Sequence, residues 1–322
     1  MTQAMIIQST GRLRVSRPSH ASEVQVIPPG ITIGEMVNRY LQWKDIASGS
    51  EHSRRAYRSE INRLMKFIGK DAPVEALNRF SAHSFSVALY DSGLAPRSRN
   101  RALAYARDLI RWAFRAGIYP DDFGHTIKSS RVPRTMPTVP TTKEMAAMLD
   151  GPCPTSWPER DRCIVELLYC NLRVCEVVAL NLEDMAADEF SLRGKGRRER
   201  KAFLTPSARE ALSKYLPSRA TFLQERGVEI HALFVNLRNG QRITGKSVHR
   251  IVKAIAYAKG LPKYISPVKL RGACATHMLD GGAPLSAVSQ LLGHEKLTTT
   301  MHYVGAVSPK RMRESYDQAF KR

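Results

Sequence analysis

Residues 281–303 read Gly-Gly-Ala-Pro-Leu-Ser-Ala-Val-Ser-Gln-Leu-Leu-Gly-His-Glu-Lys-Leu-Thr-Thr-Thr-Met-His-Tyr. Proline suits the first turn of a helix and glycine its end, so the stretch predicts a helix over Pro284–Leu292 that stops at Gly293. His294 follows that stop directly, and Tyr303 lies nine residues further on. Taken singly, such a tyrosine is an ordinary core or surface aromatic. Its meaning depends on what the rest of the chain supplies.

The chain has 322 residues, with 50 Lys+Arg against 29 Asp+Glu, a formal charge of +21. That length favours two domains over one. Such an excess costs self-repulsion in a compact state and points to a polyanionic partner, most often nucleic acid. Hydrophobic residues make up 43% of the chain, enough for real cores. No apolar run approaches the roughly 18 residues of a membrane span, and Ala4–Ile7 is too short for a secretory segment. Five cysteines without a Cys-x-x-Cys pair argue against a disulfide framework or zinc finger and fit a reducing cytoplasm. Metalloprotease, P-loop and dinucleotide-binding signatures are absent.

Residues 1–30 are polar and aperiodic and read as a flexible arm. Four helices are expected next, over Thr32–Trp43, Ser53–Ile68, Ser81–Asp91 and from Pro96 to the Gly117 stop. On the fourth, Arg97, Arg101, Arg111 and Arg115 share one narrow face, interrupted by Asp108. Ala102, Leu103, Ala106, Leu109, Ile110 and Ala113 lie opposite. The second helix repeats the arrangement, with Arg54, Arg55 and Arg58 beside an Ile61/Leu64/Ile68 seam. Either stripe alone would pass for a solvated face; two in one small helical unit favour a DNA-binding surface.

Residues 126–141 carry three prolines with Lys128, Arg131 and Arg134 and read as an extended basic linker. A second domain opens with a helix at Lys143–Leu149. Charge is shared, +10 in residues 1–140 and +11 beyond, so both halves are expected to touch the same polyanion. Strands at Glu189–Arg193 and Arg200–Leu204 would form a hairpin around Gly194-Lys195-Gly196, where Arg197 and Arg198 add positive charge. Helices are expected at Val174–Leu180, Pro206–Tyr215, Thr244–Lys259 (carrying Lys246, His249, Arg250 and Lys253), Arg271–Gly281, Pro284–Leu292 and Pro309–Phe320.

Four local sequences occur in order: Leu-Arg-Val-Cys-Glu around Arg173, Arg-Gly-Lys-Gly around Lys195, Leu-Arg-Gly-Ala-Cys-Ala-Thr-His from Leu270, and Leu-Leu-Gly-His with Tyr303 beyond. Together they resemble the tyrosine recombinase (phage integrase, Xer/Cre-like) family over most of the chain. The resemblance implies a mostly α fold with a small β-hairpin. Residues 31–125 would form a helical, SAM-like core-binding domain and 142–305 an α+β catalytic domain. Residues 306–322 would form a tail helix that docks protomers together. The two domains would clamp duplex DNA, and a homotetramer would act on two sites, alone or with co-encoded recombinases or accessory proteins. The implied work is integration, excision or transposition of a mobile element.

The resemblance also implies a chemistry. Tyr303 would attack a DNA phosphate to give a 3′-phosphotyrosine, a covalent intermediate that needs neither ATP nor metal. Arg173 and Arg271 would bind the non-bridging oxygens, Lys195 would protonate the leaving 5′-oxygen, and His294 would hydrogen-bond the phosphate.

Three positions depart from the family pattern. Val268 stands where the family usually has a histidine, three residues before Arg271. Gly272 stands where histidine is common. Asn171 replaces the usual glycine before Arg173, a mild change because asparagine tolerates a left-handed backbone. Lys269 and His302 are spaced so as to point away from the vacancy at 268. Glu176 is either a partner of Arg173 or a solvated carboxylate. Cys170, Cys175 and Cys274 read as small buried hydrophobes, and His277 as structural. Two alternatives to an active recombinase stay open: a DNA-binding protein with an impaired or partner-dependent site, and a type IB topoisomerase-like activity.

Overall fold

In the computed structural model the described residues are 30–47, 51–132, 138–193, 199–293, 296–304, 313–314 and 316–317. The expected arm, Arg134, Lys195, Arg197, Arg198, His294 and most of the expected tail helix lie outside them. The chain divides into two compact units, Met1–Arg134 and Thr135–Arg322.

The first unit contains α1 (Ile33–Ala47), α2 (Glu51–Ile68), α3 (Arg79–Asp91) and α4 (Pro96–Arg115). Local chemistry sets their ends. Asn78 caps α3 by accepting from the N–H groups of Phe80 and Ser81, so the helix starts two residues before its apolar pattern does. Pro96 occupies the first turn of α4. The six apolar residues read as one face of α4 are all buried, against Met36, Tyr40, Ile61, Leu64 and Phe85. Asp108, which breaks the arginine stripe, accepts from Tyr40 Oη at 2.6 Å and pairs with Lys44 Nζ at 2.6 Å. Beyond α4, Ile127 joins this core, and Ser129 and Ser130 bond to Arg107 and Asn100.

The second unit is built round α6 (Pro158–Tyr169), flanked by α5 (Thr142–Leu149) and α7 (Val174–Ala179). The sequence analysis places no helix over α6, whose apolar run Cys163–Leu168 is interrupted by Glu166. The helix is central, with Cys163, Ile164, Val165, Leu167 and Leu168 all buried. Then come β1 (Glu189–Arg193), β2 (Glu199–Phe203), α8 (Pro206–Gln224), α9 (Gly245–Ala258), α10 (Pro267–Asp280), α11 (Leu285–Leu292) and α12 (Leu297–Val304). Helix α8 runs nine residues past its expected end at Tyr215, through Pro217. Buried Arg219 fastens that extension by donating to the carbonyls of Ile230, Ala232 and Leu233.

The mostly helical architecture with one antiparallel hairpin matches the expectation. The hairpin register pairs Phe190 with Ala202 and Leu192 with Arg200. Alternation therefore puts Arg200 on the same inward face as three buried apolar side chains. Helix α10 begins at Pro267, so Arg271 sits in its second turn rather than opening it. Tyr303 lies on α12, a helix the sequence reading did not assign. Cys170 is buried as expected and Cys274 partly so, but Cys175 is exposed, because it falls on the outer side of the short α7.

Candidate active site

Helix α6 ends at Tyr169, and the chain turns through Asn171 at φ +76°. Asn171 is the one non-glycine residue with a positive φ among the described residues. Its Nδ2 donates to the Leu291 carbonyl at 2.7 Å, a bond that glycine would not supply. The turn delivers Arg173 as the residue capping α7.

Glu176 organises the site. It is 5% exposed and accepts from the Arg173 backbone N–H at 2.7 Å and from Arg173 Nη1 at 2.8 Å. Arg200 Nη2 donates at 2.7 Å to Oε2, the oxygen that also takes the Arg173 backbone N–H, and Arg271 Nη1 lies 3.7 Å from it. Burial pushes the Glu176 carboxyl upward, but hydrogen bonds from Arg200 and from Arg173 outweigh it and hold the group below its ordinary value. The carboxylate is thus a charged hub, not a solvated surface acid.

The guanidinium groups also converge on the C-terminal carbonyls of α11, the negative end of that helix. Leu292 C=O accepts from Arg173 Nη2 at 3.2 Å and from Arg271 Nη2. Leu291 C=O accepts from Arg200 Nη1 at 2.7 Å. Asn171 C=O accepts from Arg271 Nη1 at 2.9 Å and from Arg200 Nη2 at 3.0 Å. Burial and the charges of Arg173 and Arg200 bring Arg271 down to about 10, which still leaves it charged at neutral pH. Three cations on one carboxylate leave an excess of positive charge at the surface where Arg173 opens to solvent. Such a site is suited to an anion.

Tyr303 stands on α12 against α10. Its ring packs beside the Ala275, Leu279, Val288 and Leu292 cluster and reaches the backbone at Gly272. Gly272 follows Arg271 directly on α10, so the phenol ring lies beside the turn that carries that arginine. Val268 is 66% exposed in the first turn of α10. His302 is exposed and its ring centroid is 6.3 Å from that of Tyr303. His277 is structural in geometry: its Nδ1 is 2.8 Å from Tyr169 Oη, and it bonds the Pro140 carbonyl.

The structure therefore brings together Arg173, Arg271 and Tyr303 from three separate stretches of chain. It adds Arg200, which in sequence is one more basic residue of the hairpin. The signal that would have found it is the alternation Phe190, Leu192, Ala202, with Arg200 on the same face. Of the expected DNA-contacting residues, Arg97, Arg115, Lys128, Arg131, Lys246 and Arg250 are exposed, and Arg54 is partly buried. Four others hold acidic neighbours: Arg55 with Glu51, Arg58 with Asp45, Arg101 with buried Glu60, and Arg111 with Asp122.

Residues 139–308 match the model of the phage integrase family, and residues 37–117 match its N-terminal SAM-like domain. The chain belongs to the phage integrase family. Among the relatives of this integrase-family chain is the tyrosine recombinase XerC of Syntrophus aciditrophicus. It is 31% identical, across 88% of this chain and 97% of its own length. The tyrosine recombinase XerD of Bifidobacterium longum is 33% identical over 81% of this chain and 88% of its own. Among solved structures, the XerH site-specific recombinase bound to palindromic difH substrate gives a TM-score of 0.71 at 15% identity, covering 90% of this chain and 97% of that one. A lambda integrase dimer bound to a COC′ core site gives 0.68 at 17% identity, covering 85% and 95%. At those identities the likeness is one of fold.

Proposed function

We propose that this integrase-family protein cuts and rejoins duplex DNA at a specific site through a covalent 3′-phosphotyrosine on Tyr303. The observation that carries the reading is the convergence of Arg173 and Arg271 on Glu176 and on Leu292 C=O, beside the Tyr303 ring. Anchored guanidinium groups lose little freedom when a phosphate arrives, so their donors are ready for the charge that builds up on its non-bridging oxygens.

In this reading the Tyr303 oxygen forms a bond to phosphorus as the bond to the 5′-oxygen breaks. Lys195 gives that oxygen its proton, and His294 steadies the phosphate. The phenol proton passes to water, since exposed Val268 has no group to accept it. A 5′-hydroxyl from the partner strand then reverses the step. The positive charge of both halves, +10 and +11, supports binding of one duplex by both units. The surface ion pairs on Arg55, Arg58 and Arg111 are worth about 1 kcal/mol or less each, so phosphates can displace their acidic partners, whereas Arg101 stays with buried Glu60. The relatives named above as recombinases, and the neighbours bound to DNA, support the same partner. We extend the reading to a tetramer on two sites and to the movement of a mobile element. Deleting residues 307–322 should then weaken assembly while sparing single-site binding.

The test is a covalent trap with a pool of nicked duplexes covering the DNA that flanks the gene, resolved on denaturing gels. A Tyr303-dependent adduct, absent from Tyr303→Phe, is the expected result. Specific binding without an adduct would favour the impaired or partner-dependent reading that exposed Val268 suggests. Plasmid relaxation without recombinants would favour the topoisomerase-like one.

A further inference from the structure

Gly272 sits inside α10, directly after Arg271, and is buried. Glycine weakens a helix interior relative to alanine. The backbone here does not call for it, because Gly272 is not among the residues with positive φ. Its reason is steric. A Cβ at position 272 would lie 3.0 Å from Val139 Cγ1, 3.3 Å from Tyr303 Cε1 and 3.9 Å from Tyr303 Oη. The missing side chain leaves a hollow, and two groups from distant stretches of chain fill it.

Both groups are held in place. Val139 precedes Pro140, whose carbonyl is bonded by His277 of α10, and His277 in turn meets Tyr169 Oη of α6 at 2.8 Å. Tyr303 is packed by Ala275, Leu279, Val288 and Leu292. The hollow at 272 is thus walled by Val139 on one side and floored by the helix backbone, and the phenol ring rests in it.

We propose that Gly272 is a positioning residue, the seat that sets how far the Tyr303 hydroxyl stands from Arg271. The inference rests on the reading of Tyr303 as the nucleophile. It turns the departure at 272 from a sign of decay into a fitted feature. Any side chain there begins with a Cβ that presses on Val139 and on the ring.

The experiment compares wild type, Gly272→Ala, Gly272→His and the double variant Val139→Ala/Gly272→Ala. Each is measured for DNA affinity, melting temperature, single-turnover rate of adduct formation on a nicked duplex, and iodination of Tyr303 followed by peptide mass. Gly272→Ala should bind DNA as wild type does and adduct several-fold more slowly, with Tyr303 iodinated faster. Gly272→His should lose about 100-fold in rate, as a displacement near 1 Å can cost. The double variant relieves the 3.0 Å clash, so it should recover any lost melting temperature yet keep the slow rate. If the double variant regains the full rate, Val139 alone is responsible and the seat is refuted. A wild-type adduct with an unchanged rate in Gly272→Ala overturns the proposal alone. A wild type that forms no adduct overturns the functional reading and the positioning role together, whatever iodination shows.

Discussion

Arg200 Nη2 and Glu176 Oε2 meet at 2.7 Å, with both side chains more than nine-tenths buried. The contact ties the second strand of the hairpin to the helix that follows Arg173. Because Glu176 also holds Arg173, and Arg200 shares Asn171 C=O with Arg271, one ion pair fixes both arginines of the proposed phosphate site. Arg200 thus acts on the site through Arg173 and Arg271, as a positioning residue.

Removing that side chain should therefore cost stability and rate together. Breaking a buried pair is worth about 3–5 kcal/mol, and we expect Arg200→Ala to approach the lower figure in chemical denaturation, since Arg173 still neutralises Glu176. Arg200→Lys should rescue little, because an ammonium on a longer stem does not fork onto Glu176, Asn171 C=O and Leu291 C=O at once. Near-wild-type denaturation by the lysine variant would refute the forked role.

Acid should dismantle the same hub. Glu176 is held below its ordinary value of 4.5, so its ionised form stabilises the fold above that value. The contribution is lost as pH falls through the lower folded value. Denaturation midpoints measured from pH 7 down to pH 3 should fall in wild type. In Glu176→Gln the fall should be shallower, from a lower starting point at pH 7, where the arginines repel one another without a counter-charge.

At the turn before Arg173, backbone and side chain make separate demands. Asn171→Ala must hold φ +76° at a cost of about 1–2 kcal/mol and also loses the bond to Leu291 C=O. Asn171→Gly loses only the bond. Stability should rank wild type above glycine and glycine above alanine; equal melting temperatures for the two variants would show that the left-handed turn is not under strain.

The open first turn of α10 offers a gain of function. General acid–base help contributes roughly 10²–10⁴ in rate, and Val268 supplies none. Val268→His should raise the single-turnover adduct rate by at least about tenfold with DNA affinity unchanged. A rate equal to that of wild type would mean the proton already has another acceptor.

Binding should be dominated by phosphate contacts. A plot of log affinity against log salt should be steeper than about −5, for roughly six or more phosphates at ~−0.9 each. A flat response would contradict a grip by both basic units.

Much of this was legible in the sequence because it rests on local rules. Charge balance pointed to a polyanion, periodicity located the four helices of the first unit and the buried face of α4, and glycine and proline marked the ends of α4 and α11. The local sequences around Arg173, Lys195, Arg271 and His294, in that order and followed by Tyr303, carried the family resemblance that the matched family models confirm. Helix α6 was not legible because charged Arg160, Asp161 and Glu166 are buried along with its apolar residues, so the polarity of the sequence does not mark its outer face. Glu176 and Arg200 were ambiguous for a different reason. A charged residue in sequence looks the same whether water or three arginines surround it, and only the packing of α7, β2 and α11 around one point selects the second. Gly272 likewise reads as a lost histidine until Val139 and Tyr303, 133 residues before and 31 after it, are seen to fill the same hollow. Residue types and their local order determined the fold class and the candidate chemistry. The tertiary structure decided which charges are buried together and which volume is already taken, because burial and excluded volume are properties of the folded neighbourhood.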